Sequence, residues 1–330
     1  MIEIISIEDI KFKGVGEEKL KKLKEAKLCT INALAILTEI ELVSYTGFTV
    51  ELAQSIISQA RDIISPGFIT AEDLASRQIQ QELLHTGSKQ LNRIFGGGIR
   101  PQAITEFIGE FGSSKTQICV TAAVIAASQG KNVAVIDTEG TFLPERIDQV
   151  AEGRGYDPVE IKKKIRIARA YTAEHLHELT KHLPALIYDF NIQLIILDSI
   201  ITHFRSEYLG LSNLSPRQQK LAGVIHALQR ASDGFGVPVI VTNQVQTKVG
   251  ISFGDPNQAA GGHIMGHGGT YRVMLRKGSM EKKTGNRTIL AQVIDAAHLP
   301  EEKVRIMISA AGIVDEDGGM SEKTESEING

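Results

Sequence analysis

The amino-acid sequence predicts an α/β chain: a mostly parallel twisted sheet with helices on both faces, an antiparallel extension at its C-terminal end, and a small all-α domain in front of it. Three observations carry this expectation. From about residue 86 onward, continuous apolar runs alternate with amphipathic stretches, the pattern of parallel strands covered on both faces by crossover helices. After residue 270 the apolar runs are joined by turns, which suits antiparallel strands added to the same sheet. Before residue 62 the apolar residues recur at helical spacing between glycine turns.

Composition sets the outer bounds. A chain of 330 residues, 42% of them hydrophobic, is large enough for one large domain and a smaller one, and holds no apolar run long enough to cross a bilayer. The start, MIEIISIEDIKF, is acidic where a signal peptide is basic, so the expectation is a chain that stays inside the cell with no membrane role. Cys29 and Cys119 have no metal-ligand spacing and read as buried reduced thiols. The net charge of −3 averages over a tail: residues 315–330 hold six acids against one lysine, which leaves the rest of the chain slightly basic.

Taken in order, residues 1–62 read as two related units, each with a glycine turn (Gly14 and Gly16, then Gly47) followed by a helix. This is the pattern of a helix-hairpin-helix domain, whose tight turn offers backbone N–H groups to a DNA phosphate. Seven lysines against three acids over residues 11–27 suit backbone binding, and equally suit the solvated face of a protein-interaction domain. Residues 63–82 form a linker in which Ser65, Pro66 and Gly67 break the preceding helix and a polar helix follows. Within it Phe68 is an aromatic on an otherwise exposed tether, either tucked onto its own chain or anchoring a neighbour. Residues 83–314 form the sheet domain, with strands expected at AITEFI (103–108), NVAVID (132–137), IRIARA (165–170), IQLIILD (192–198) and VPVIVTN (237–243), then YRVMLRKGS, TILAQVID and VRIMISAAG. Residues 315–330 read as an acidic, disordered tail.

The stretch GEFGSSKT, Gly109 to Thr116, carries the chemistry. It matches the phosphate-binding pattern G-x-x-x-x-G-K-[ST] at Gly109, Lys115 and Thr116 but has Ser114 in place of the second glycine. Its placement compensates: a buried strand before it and an apolar helix after it aim loop N–H groups and a helix N-terminus at a polyphosphate. IQLIILD ends in Asp198, where a carboxylate holds the water shell of Mg²⁺ while Thr116 supplies a direct hydroxyl ligand.

The flanking motifs specify the family: TGSKQLNRIFGGGI, SKTQ, IDTEGTFLPERI, LIILDS, RQQKLAGVIHAL, TNQV, GDPNQAAGGHIMGHGGTYRVMLRKG and DAAHLP. Together they closely resemble the archaeal recombinases of the RecA class, along nearly the whole chain. The resemblance implies a RecA-type P-loop ATPase core behind a helix-hairpin-helix domain. It also implies ATP bound between neighbouring copies of a helical filament on single-stranded DNA, pairing and exchange with duplex, loading by recombination mediators, and a cytoplasmic, nucleoid-associated location. The nucleotide site it implies comprises Gly109, Glu110, Phe111, Gly112, Ser113, Ser114, Lys115, Thr116 and Gln117, with Thr116 and Asp198 at Mg²⁺. Glu139 would activate the attacking water, Gln244 would relay the γ-phosphate to DNA, and Arg146 would flank adenine. Asp295, His267 and Pro300 would reach the nucleotide of the next copy. DNA would meet two loops, about 205–217 with Arg205 and Arg217, and about 246–266 with Phe253, Gly261 and Gly262. Phe68 and Ala71 match the linker motif that inserts into an adjacent core.

Departures from the family pattern are Ser114 for glycine, Leu143 and Leu211 for arginine, and Ala297 for proline. They keep open an ATP- and DNA-binding mediator with little strand exchange; a hexameric motor of the same fold fits the tether less well.

Overall fold

The structure, a computed structural model, describes residues 2–64, 67–79, 81–247, 257–260, 270–280 and 287–316. The N-terminal helices are α1 (Glu17–Glu25), α2 (Ile31–Ala35), α3 (Glu39–Thr46) and α4 (Val50–Ile64). Local chemistry sets their ends. Thr30 accepts the Ala33 N–H to start α2, Thr38 and Glu41 form a reciprocal capping box on α3, and Gly47 closes α3 in the left-handed region at φ 69°. Leu23, Ile31, Leu34, Leu42 and Ile56 are fully buried among these helices, and α4 runs two residues past the expected boundary at 62. In the linker, α5 (Ala71–Ile79) buries no residue and is held by its own cap, Thr70 with Asp73.

The core follows as α6 (Lys89–Ile94), β1 (Ile104–Gly109), α7 (Lys115–Ser128), β2 (Asn132–Asp137), α8 (Pro144–Gly153), α9 (Pro158–Lys164), β3 (Ile165–Arg169), α10 (Ala173–Lys181), α11 (Leu183–Phe190) and β4 (Ile192–Asp198). Then come α12 (Thr202–Glu207), α13 (Leu214–Phe235), β5 (Val239–Thr247), β6 (Asn257–Ala259), β7 (Tyr271–Met280), β8 (Arg287–Ala296), β9 (Lys303–Ser309) and β10 (Gly312–Asp315). The strand order is β10-β9-β8-β7-β1-β5-β4-β2-β3, parallel from β7 to β3 and antiparallel from β7 to β10, as the residue pattern predicts. Among the described residues no helix is long and apolar enough to cross a membrane.

Three expectations are corrected. VRIMISAAG is not one strand but the whole of β9 after Lys303 and the turn into β10, because the chain reverses at Ala310 and Ala311 before Gly312, which adopts φ 80°. Asp315, assigned to the acidic tail, is buried at the end of β10; it accepts from the Ser88 hydroxyl and, at 3.1 Å each, from the Lys89 and Gln90 N–H groups, so the core needs it as the cap of α6. Cys29 is only half-buried, whereas Cys119 is buried as expected.

Each sheet face has its own apolar core. α7, α8 and α9 cover one side, with Phe107, Ile196, Ile240 and Val273 beneath them. α10, α11 and α13 cover the other, and the N-terminal helices join that same cluster through α13. Gly234 makes this contact possible, since a Cβ there would stand 2.5 Å from Ile36. Polar contacts then fix it: Asn32 donates to the Gly234 carbonyl at 2.9 Å, and Arg230 grips Glu41 with both arms at 2.6 and 2.8 Å. Burial works against the Glu41 carboxylate, but Arg230 and the Thr38 donors outweigh it and hold its pKa down to about 2.

Candidate nucleotide-binding and hydrolysis site

The site lies at the carboxyl ends of the parallel strands, where strand-to-helix turns leave backbone donors unused. Gly109 ends β1 in register with Gln244 of β5 and Leu275 of β7. A Cβ on it would sit 2.7 Å from the Leu275 carbonyl oxygen, so only glycine lets the loop leave the sheet here. Gly112 turns the loop at φ 72°, and Ser114 precedes α7 at φ 70°, the left-handed conformation that glycine takes without penalty. Serine there costs about 1 to 2 kcal/mol, yet the loop is formed.

Lys115 folds back into the loop and donates to the carbonyls of Gly109 at 2.9 Å and Glu110 at 3.0 Å. Burial lowers its pKa, and the nearby Asp198 and Glu139 carboxylates oppose that. Thr116 donates to Asp198 Oδ2 at 2.6 Å, which joins the two expected metal-site residues, and Thr242 donates to the other oxygen. Burial pushes the Asp198 carboxyl up, with Glu139 and Asp137 adding like charge. Glu139 stands on the turn after β2, whose shape Asp137 sets by accepting the N–H groups of Glu139, Gly140 and Phe142. Its Oε1 accepts from Ser199 (3.0 Å), Thr202 (2.7 Å) and Gln244 (3.2 Å), which orients Oε2 as the remaining acceptor. Gln244 in turn accepts from Arg205 at 2.6 Å, linking the site to α12.

Arg146 lies beside the phosphate-loop helix, donating to Gln117 at 2.7 Å and to the Ser309 and Ala310 carbonyls at 2.8 and 3.0 Å. Its guanidinium is therefore pinned to the turn between β9 and β10 of its own chain. Glu110, Phe111 and Ser113 lie on the loop; Phe111 is strongly exposed and Ser113 is buried. Asp295, near the end of β8, and Pro300, between β8 and β9, are both exposed. His267, Phe253, Gly261 and Gly262 lie outside the described residues.

The loop expected over about residues 205–217 is shorter in the structure. Arg205 belongs to α12 and Arg217 to the first turns of α13, because Pro216 falls where a helix tolerates proline and so marks a start, not a break. The Arg217 Nε is buried with no hydrogen-bond partner.

Sequence reasoning missed several residues. Thr242, Ser199 and Thr202 are small hydroxyls whose donor role depends on strands that meet only in the fold. Lys277, beyond the end of the β7 pairing with β1, brings its ammonium within 3.4 Å of where a Cβ on Gly112 would stand. Glu106, a charge inside the apolar run AITEFI, was the one visible signal, since a carboxylate in a central strand demands a partner.

At the far edge of the sheet, β3 borders a mostly apolar cavity of about 270 Å³ lined by Ile136, Ile167, Leu183 and Phe190 together with Lys27 and Asp189, with the Arg166 guanidinium 4.1 Å over the Phe190 ring. Phe68 is fully exposed, with Ala71 opening α5 three residues on.

A model of the Rad51 family matches residues 77–316, which take in every strand of the sheet. The chain is 41% identical over 320 residues (95% of this chain, 98% of the relative) to the DNA repair and recombination protein RadA of Aeropyrum pernix. It is 40% identical over 313 residues (92% and 94%) to the protein of the same name from Ignicoccus hospitalis. With a glycine-bearing loop, the strand-end carboxylate of Asp198 and Glu139 gathered on one sheet end, and with relatives of this likeness along nearly its full length, the chain belongs to the Rad51 family.

Proposed function

We propose that this chain is an ATP-dependent DNA recombinase: it assembles on single-stranded DNA as a filament, pairs that strand with homologous duplex, exchanges strands, and hydrolyses ATP to let go. One observation carries the reading, the convergence of Lys115, Thr116, Asp198 and Glu139 at the carboxyl ends of β1, β4 and β2.

In hydrolysis, the loop N–H groups and Lys115 bind the phosphates, with Lys115 exchanging its two carbonyl partners for phosphate oxygens. Glu139 takes the proton of the attacking water on Oε2 while its three donors hold the carboxylate still. Thr116 and Asp198 would hold Mg²⁺, which when bound neutralises charge on the leaving phosphates. The fit is reasonable: among the described residues no three acidic, histidine or cysteine groups form a cage, and Mg²⁺ at nucleotide sites takes most of its ligands from phosphate and water.

Asp295, His267 and Pro300 complete the nucleotide site of the next copy, and Gln244, bonded to both Glu139 and Arg205, relays nucleotide state toward DNA. Arg205 and Arg217, with the second loop carrying Phe253, Gly261 and Gly262, contact the strand through its phosphates. Residues 1–62 serve as the helix-hairpin-helix domain, and the 63–82 linker as the polymerisation tether, its Phe68 filling the cavity beside β3 of a neighbouring copy and Ala71 packing at the rim. Mediators would load the chain onto DNA.

The test is joint-molecule formation and electron microscopy with ATP, Mg²⁺ and single-stranded DNA. Filaments and joint molecules are expected, and Phe68→Ala should leave short oligomers. Binding of ATP and DNA with neither product overturns the recombinase reading.

A further inference from the structure

Glu106 is fully buried in β1, the strand between β5 and β7, and the hydrolysis scheme gives it no task. An ionised carboxylate there carries a large desolvation cost that only close pairing offsets. The pairing is close: Oε2 accepts from Arg272 Nε at 2.7 Å and Oε1 from Asn243 Nδ2 at 2.7 Å.

These partners lie on a line. Glu106, Arg272 and Asp295 occupy one register row across β1, β7 and β8, so their side chains stand on the same face of the sheet. Arg272 Nη1 is 3.9 Å from Asp295 Oδ2. On the other side, Asn243 Oδ1 accepts the N–H of Gln244 at 2.8 Å, and the Gln244 side chain donates to Glu139. A chain of polar contacts therefore runs from Glu139, at this copy's own nucleotide pocket, to Asp295, at the edge that faces the next.

We propose that Glu106 and Arg272 are positioning residues that couple the two nucleotide sites touched by each copy, so that the state of the pocket at Glu139 sets where Asp295 stands. The proposal rests on the roles of Glu139 and Asp295 given above. Both oxygens of one carboxylate are committed, one toward each site, and Arg272 is shared between Glu106 and Asp295. A shift at Gln244 moves Asn243, then Glu106, then the guanidinium that Asp295 follows. In a close-packed, low-dielectric interior such a network moves as a unit.

The test is a double-mutant cycle on single-stranded-DNA-stimulated ATP hydrolysis by the full chain: native, Glu106→Gln, Asp295→Asn and both together, each with its ATP saturation curve. Each single variant is expected to lose about tenfold in turnover and to lower the Hill coefficient, within the usual range of coupling between sites. The double variant should be no slower than the slower single one, as for residues acting in series. A merely structural role for Glu106 would multiply the two losses and leave the Hill coefficient where it was. That result, or native kinetics in Glu106→Gln, overturns the proposal. If Glu106→Gln does not fold, Arg272→Lys, which keeps the charge and loses the fork, takes its place in the same cycle. A native chain with no DNA-stimulated turnover overturns the function itself, a separate outcome from an active chain whose losses multiply.

Discussion

Asp198 and Glu106 are both buried carboxylates of one sheet, separated by β5, and they are partnered differently. Asp198 ends its strand, its oxygens accept from two threonine hydroxyls, and burial raises its pKa. Glu106 lies mid-strand against a guanidinium and an amide, and burial raises its pKa too, against the pull of Arg272 and Asn243. The first leaves its charge poorly compensated, which suits a group awaiting a cation; the second spends its charge inside the fold, which suits a group that must not move. The carboxyl ends of strands hold function at a stability cost, whereas strand interiors hold position.

The sharpest way to break this contrast is to neutralise each acid in turn. Asp198→Asn should lower turnover by about 10²-fold or more, the scale of losing a preorganised electrostatic contact, while the apo protein melts no lower than native. The sign follows from the raised pKa: a folded-state value above the unfolded one means the ionised form costs stability as pH rises through it, so at neutral pH the amide removes a burden. Burial raises the Glu106 pKa as well, against the pull of Arg272 and Asn243, so the amide relieves some burial cost there too; it also leaves Arg272 with only the more distant Asp295 as counter-charge, so Glu106→Gln should lose stability, by up to about 3 to 5 kcal/mol. Thermal unfolding of the two variants without nucleotide checks both, and equal melting shifts would remove the distinction.

A third carboxylate sharpens the comparison at the domain contact. Glu41 has its pKa held down to about 2, so its contribution is present above the ordinary value of 4.5 and is lost as pH falls through about 2. Glu41→Gln should cost about 1 to 3 kcal/mol at pH 7. Denaturant melts across pH 6 to 2.5 should find that difference shrinking in the acid range. The smallest effect is at Ser114. Ser114→Gly relieves the left-handed serine and should raise the stability of the nucleotide-free chain by up to about 1 kcal/mol after the added freedom of the unfolded chain is counted. Denaturant melts without nucleotide read it, and a less stable glycine variant would mean that the loop bears little strain at that residue.

Much of this architecture was legible in the residues. β2 and β4 run over the very stretches NVAVID and IQLIILD, because continuous apolar runs of 6 and 7 residues rich in Val and Ile have the length and composition of strands covered on both sides. Ser114 stood out because the phosphate loop needs a positive φ there, and φ 70° is what the chain adopts. The turn between β9 and β10 was hidden by two alanines that carry no turn signal, and Asp315 looked like tail because its partners, Ser88 to Gln90, lie 225 to 227 residues away. The Glu106 to Asp295 row was hidden for the same reason: register between distant strands is a property of the sheet, not of any window of sequence.

The central claim is that GEFGSSKT, serine included, is a working phosphate cradle serving a DNA-dependent reaction. The most direct measurement is steady-state ATP hydrolysis with and without single-stranded DNA, for the native chain, Ser114→Gly and Glu139→Gln. Native turnover that rises with DNA, together with its loss in Glu139→Gln, is the expected result. Turnover that responds to DNA only in Ser114→Gly would contradict the claim and leave the native chain as a mediator with a disabled loop.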